Sequence, residues 1–174
     1  FYLDNAARAL APRTQGYYHE KLDPFIHWLT KQGITAVGDF DAPSIRRFLL
    51  HLQERELSPY TVHAYARCIK TFGFFLVREG IVPASPMRRV KMPQLPKDLL
   101  PPFSRAEVRA LVDACDQERD TALLLVLLDC GVRASELCAL NVGDVDLLTG
   151  EVRVQRGKGS KDRVTFVGAR TCKA

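Results

Sequence analysis

Apolar positions along this chain follow two periods. In the N-terminal part they recur in steps of three and four, as on one face of a helix. Near the C-terminus they alternate, as on a half-buried strand. Tyr18, Leu22, Phe25, Ile26 and Leu29 predict a helix over about 12–32. Pro24 should kink or restart it, because proline removes an amide donor and crowds the preceding turn. Gly33 should end it. Ile45, Phe48, Leu49 and Leu52 form the stripe of a second helix after Asp41, with Pro43 in its first turn. Arg46, Arg47 and His51 lie mostly off that stripe. Ser58-Pro59 is an N-cap followed by the preferred first-turn proline. Val62, Tyr65, Ile69, Phe72 and Leu76 carry that third helix to Gly80, and Thr61, His63, Arg67 and Lys70 fall on its remaining surface. The prediction is an all-helical unit of four or so short helices.

The pattern then changes. Prolines cluster at 83–86 and 93–102, around the basic run Arg88-Arg89-Val90-Lys91, and read as a semi-rigid linker. A boundary is expected near 93–101, giving units 1–95 and 96–174. Ser104 with Glu107 three residues on forms a capping box for a helix to about 115. Residues 119–130 predict a strongly apolar helix broken by Gly131, and 134–140 a short one. Val142, Val145, Leu147, Val152, Val154, Val164 and Phe166 then alternate, with a Thr149-Gly150 turn, as short antiparallel strands. The expected fold class is mainly α: a four-helix N-terminal domain followed by an α+β segment.

Composition narrows the picture in three ways. The 174 residues suffice for one or two domains, and no run of 18 apolar residues suggests a membrane span. The start, Phe1-Tyr2-Leu3, lacks both a signal-peptide pattern and a methionine, so the chain is expected to begin inside a longer protein. The five cysteines show no CxxC spacing and sit mostly among apolar residues, which points to reduced thiols, no metal site and a cytoplasmic location. The net charge of +5 is segregated. Residues 1–100 carry 14 Lys+Arg against 9 Asp+Glu, residues 101–150 carry 4 against 9, and residues 151–174 carry 7 against 2. Two basic regions flank an acidic one. Such patches suit a polyanion, or are simply a solvated charged face.

Two segments carry candidate chemistry. Arg133 stands between Gly131, which should end one helix, and Ser135-Glu136-Leu137, which should begin another. Its planar fork fits two phosphate oxygens, and free helix-start amides nearby would favour an anion. Glu136, one turn on, could hold the guanidinium, or the two could form no more than a helix-start ion pair. Lys158 lies between two glycines and shares a positive turn with Lys161 and Arg163. Glycine lets a backbone approach a phosphate closely. The turn lacks the P-loop pattern, and an ordinary exposed basic hairpin is the other reading.

The order of these segments matters more than either alone. GVRASEL at 131–137, then two strands, then GKGSKDR at 157–163, after a basic helical region and a proline linker, resembles the tyrosine recombinase (phage integrase) family, and the Xer-like members in particular. Residues 58–80 and Ser85-Pro86-Met87 resemble its N-terminal SAM-like core-binding domain, and the sequence from 100 on resembles the first part of its catalytic domain. The resemblance implies that Arg133 binds the scissile phosphate, that Glu136 supports it, and that Lys158 protonates the departing 5′ oxygen. It implies two transesterifications through a 3′-phosphotyrosyl intermediate, with no metal and no cofactor. Double-stranded DNA is the implied partner, with a tetramer on paired sites for the whole protein and no membrane. Arg46, Arg47, Arg67, Lys70, Arg88, Arg89, Lys91, Lys161 and Arg163 would contact DNA, mostly at phosphates. The helix bearing Thr61, His63, Arg67 and Lys70 is the candidate for base contacts.

The sequence departs from the family in one respect. The HxxR box, the later His or Trp, and the nucleophilic tyrosine all follow the arginine–lysine region, and this chain has none of them. Its tyrosines (2, 17, 18, 60, 65) and histidines (19, 27, 51, 63) all precede Arg133. The expectation is a piece of a recombinase that binds DNA and is inactive by itself. The competing expectation is a non-catalytic DNA-binding regulator, which explains the charge and the helices but not the paired motifs.

Overall fold

The computed structural model describes residues 1–96, 101–155 and 162–174. The chain divides into two compact units, Phe1–Leu99 and Leu100–Ala174.

The first unit holds four α-helices: α1 (Tyr2–Ala7), α2 (Pro12–Lys31), α3 (Ala42–Glu54) and α4 (Pro59–Arg78). Their starts are written in the sequence. Asp41 accepts the Ser44 N–H at 2.8 Å while Ser44 Oγ accepts the Asp41 N–H at 3.0 Å. Ser58 Oγ accepts the Thr61 N–H at 3.2 Å. Both caps satisfy amides that a helix start leaves orphaned. Helix α2 runs through Pro24 as one assigned element, so the expected restart is absent. Residues 37–39 and 86–89 form 3₁₀ turns. The core is formed by Leu22, Phe25, Ile45, Phe48, Leu52, Val62, Ile69 and Leu76, each at most 2% exposed. Ile26, expected on the buried stripe, is 42% exposed. The 86–89 turn and the residue after it pack on the bundle through buried Met87 and Val90.

The second unit holds α5 (Arg105–Asp113), α6 (Glu118–Cys130), the single turn α7 (Ala134–Leu137), strands β1 (Val145–Asp146), β2 (Glu151–Val154) and β3 (Arg163–Phe166), and α8 (Ala169–Lys173). The capping box at Ser104 and Glu107 forms as the spacing predicts. The strands make an antiparallel sheet in the order β1-β2-β3, with Val152 facing Val145 and Thr165, and Val154 facing Arg163. Asp129 ties α6 to α8 by accepting the Gly168 N–H at 2.8 Å and the Thr171 hydroxyl at 2.6 Å.

The strand prediction needs two corrections. Val142 lies in a 3₁₀ turn, Val142–Asp144, and is 95% exposed. The carboxylate of Asp144 accepts the Asn141 N–H at 2.9 Å, so a local cap outcompetes strand pairing. Leu147 lies in a turn, because the Asp146 side chain accepts the Leu148 and Thr149 amides. In β3 the apolar residues Val164 and Phe166 face outward, while Arg163 and Thr165 take the half-buried side.

Candidate active site

Arg133 is placed by the residues on either side of it. Helix α6 ends at Gly131, whose φ of +56° is a left-handed conformation that suits glycine. Val132 then turns inward, 6% exposed, against Val152 and Val154. Arg133 follows in extended backbone as the N-cap of α7. Its side chain is 55% exposed.

Glu136 stands at the centre of the site. Its side chain is only 6% exposed and accepts four hydrogen bonds. Arg133 donates its backbone N–H to Oε2 at 2.9 Å and its Nη1 to Oε1 at 2.7 Å. Arg163 donates Nη1 to Oε1 at 3.1 Å and Nη2 to Oε2 at 2.7 Å. Hydrogen bonding from Arg163 first, and from the Arg133 amide next, holds the Glu136 carboxyl far below the usual carboxylate range. The same contact raises the Arg163 guanidinium above its ordinary value. Nε and Nη2 of Arg133 make no hydrogen bond among the described residues. The result is a half-exposed arginine fixed from behind with donors left over, which is what a phosphate-binding guanidinium requires. The Arg133 amide itself is taken by Glu136, so it is not among the free helix-start donors.

Sequence reasoning placed Arg133 beside Glu136 but missed Arg163 as their third member. It assigned Arg163 to the positive turn, whereas both its Nη atoms lie on the carboxylate. The signal in the sequence was the place of Arg163 at the head of the alternating Val164–Phe166 pattern, past the glycines of the turn. Also missed was Asp144, 8% exposed, which accepts the Gln155 amide at 2.5 Å and secures the end of β2. Lys158 and Lys161 lie outside the described residues.

The candidate DNA-contacting residues of the first unit fall into two groups. Arg46, Arg88 and Arg89 line a groove of about 800 Å³ at the start of α3. Arg46 Nη2 donates to the Arg89 carbonyl at 2.6 Å, linking α3 to the 86–89 turn. An adjoining groove shares Arg46 and Arg89 and adds Lys91. His63, Arg67 and Lys70 instead recur at helical spacing along one face of α4. Arg67 and Lys70 are exposed there and His63 is half-buried. Thr61 has its hydroxyl within 2.9 Å of Ser58 Oγ, engaged at the helix cap. Arg47 is exposed on α3.

Residues 1–79 match the phage integrase N-terminal SAM-like domain, and residues 103–174 match the phage integrase family. The chain is 32% identical over 164 residues to tyrosine recombinase XerC of Oceanobacillus iheyensis, covering 91% of this chain and 53% of that protein. It is 36% identical over 166 residues to tyrosine recombinase XerD of Pseudomonas putida, covering 92% and 55%. The chain thus spans about half the length of the curated relatives it matches. Its fold is similar to a lambda integrase dimer bound to a COC' core site, with a TM-score of 0.76 at 13% identity over 98% of this chain and 61% of that one. It is also similar to the Tn1549 transposon integrase in complex with transposon right end DNA, with a TM-score of 0.75 at 15% identity over 99% and 61%. Both family matches, the relatives and the fold agree: the chain belongs to the phage integrase family of tyrosine recombinases.

Proposed function

We propose that this chain contributes DNA binding and the phosphate-binding arginine to a site-specific recombinase that cuts and rejoins DNA through a 3′-phosphotyrosyl intermediate. The observation that carries the reading is Arg133, half-exposed and anchored by a buried carboxylate, with Nε and Nη2 unengaged among the described residues. In that reaction charge builds on the phosphoryl oxygens as the nucleophile attacks, and a preorganised guanidinium stabilises it without a metal ion. Lys158 is the proposed proton donor to the 5′ oxygen. Residues 1–95 are the proposed core-binding domain, with Arg46, Arg47, Arg67, Lys70, Arg88, Arg89 and Lys91 on phosphates and the α4 face toward bases. Lys161 is a proposed phosphate contact beside Lys158. The whole protein would act as a tetramer on paired sites in the cytoplasm.

The second unit of this chain contains no tyrosine and no histidine. By itself the chain should therefore bind duplex DNA without joining it covalently. The test incubates the chain with duplex DNA across a salt series and with a nicked substrate that traps covalent adducts. Expected is binding that weakens with salt, with a log–log slope of about −0.9 per phosphate neutralised, and no adduct. Salt-independent affinity, or none at low salt, overturns the DNA-binding reading. A tyrosine-linked adduct overturns the proposal that this chain lacks its own nucleophile.

A further inference from the structure

We infer that Arg163 is a positioning residue, whose guanidinium fixes Glu136 and through it Arg133 rather than reaching the DNA backbone. The inference rests on the reading of Arg133 as the phosphate-binding arginine and says what holds that side chain in place.

The geometry separates the two arginines. Arg133 holds Oε2 with its backbone N–H and Oε1 with one side-chain nitrogen, so its guanidinium itself grips the carboxylate through a single contact. Arg163 places Nη1 and Nη2 on both oxygens, at 3.1 and 2.7 Å, in the fork geometry that fixes the carboxylate plane. Its two terminal nitrogens are thereby engaged, and its side chain is less exposed than that of Arg133, at 38% against 55%. Glu136 is buried, and a buried carboxylate with one partner removed is poorly compensated. Two guanidinium groups on one carboxylate still leave a local charge of +1, so the cluster remains attractive to a phosphate.

The topology gives the contact a second consequence. Arg163 opens β3 in register with Val154, which is 1% exposed in the core of this unit. Strand β3 therefore begins at the residue that grips Glu136. The arginine-bearing turn and the start of β3 are referenced to one carboxylate. A phosphate contact at Arg163 would have to use the N–H donors that the fork leaves over, on a guanidinium already fixed against Glu136.

The test uses the isotope-labelled 174-residue chain and its R163K, R163Q and E136Q variants. Three quantities are read by NMR and binding: the order of the Arg133 Nε–H bond, the titration of the Glu136 carboxyl carbon, and the salt slope of duplex binding. R163K keeps the charge and loses the fork. It should free Arg133, move the Glu136 titration up toward the ordinary value of about 4.3, and leave the salt slope unchanged. R163Q should do the same, again without lowering the salt slope. A loss of about 0.9 from the slope in R163Q with Arg133 still ordered would make Arg163 a phosphate contact and overturn the inference. So would an R163K protein in which Arg133 and Glu136 behave as in the parent. Should R163Q fail to fold, E136Q decides with Arg163 intact: Arg133 must become mobile, and an Arg133 that stays ordered refutes the coupling. Absence of DNA binding in every form, the parent included, would sink the recombinase reading while the Arg133 and Glu136 measurements still judge this one.

Discussion

Glu136 makes the arginine geometry sensitive to acid, and the direction follows from its partners. Hydrogen bonds from Arg163 and from the Arg133 amide depress its folded-state pKa, while in the unfolded chain it titrates at about 4.3. Between those values the unfolded chain holds a proton that the folded one does not. The stabilisation is therefore complete above the unfolded pKa and is lost as pH falls toward the folded one. Asp144 and Asp146 act in the same direction, their carboxylates lowered first by the backbone amides of Asn141 and Leu148. The melting temperature of the second unit should fall as pH drops from about 5 to about 2. In Glu136→Gln the curve should start lower at neutral pH and be flatter, because the two aspartates remain. A melting series against pH checks this, and parallel curves for parent and variant would contradict it. The chemical counterpart concerns Arg133. In a protein that carries the catalytic half complete, Arg133→Ala should leave DNA affinity nearly intact and slow cleavage by roughly 10²–10³, the cost of removing one donor from charge that develops only in the transition state. A comparable loss in binding would mean that the arginine holds ground-state DNA instead.

At the scale of elements, the caps were the most legible feature. Asp41, Ser58 and Ser104 each start a helix where local chemistry requires, because one side chain satisfies an amide within three residues. The strands were less legible because period-two patterning does not see such local bonds. Val142 and Leu147 fit the alternation, but Asp144 and Asp146 recruit the neighbouring amides into turns first. The contact of Arg163 with Glu136 was missed for a related reason: a charged residue after a glycine-rich turn reads as surface, and its partner lies 27 positions earlier in the chain. Pro24 shows the opposite case, since of the two effects expected of it, a kink or a restart, the restart does not occur and the proline is carried within α2. The β1–β2 turn gives a testable case. Gly150 has φ +74°, and a Cβ there would stand 2.6 Å from the Val167 carbonyl oxygen. The left-handed conformation alone costs a side-chain-bearing residue about 1–2 kcal/mol, and contact with a backbone atom adds to it. Gly150→Ala should therefore destabilise the second unit by more than about 2 kcal/mol in chemical denaturation, with Gly143→Ala, where an added Cβ meets nothing within 4 Å, as the mild control.

At the scale of the whole chain, the two units differ in how they are held together. The first has a continuous core with Leu22, Phe25 and Ile45 at 0% exposure and Phe48, Leu52 and Leu76 at 2%. Aromatic pairs such as Phe25–Phe48 at 5.0 Å and Phe48–Tyr65 at 5.7 Å tie three helices into it. The second unit buries Val132, Val152 and Val154 in its cluster, and of the apolar run in α6 only Leu125 is buried. Leu123 and Leu128 on that helix are 42% and 48% exposed and Leu124, Val126 and Leu127 are half-buried, so a strongly apolar segment is only partly covered. Burying one such side chain contributes about 1.5–3 kcal/mol, and the longer roster of large buried side chains favours the first unit. The polar contacts of the second, at Glu136, Asp129 and Asp144, fix geometry more than they add net stability, since desolvation offsets much of an ion pair's attraction. Amide exchange should therefore be slowest in α2, α3 and α4 and markedly faster in α6 and the sheet. On heating, the second unit should melt first, below the transition of the first. Native-state hydrogen exchange with residue resolution decides it, and equal protection across both units, or a single cooperative melt that loses all amides together, would refute the prediction.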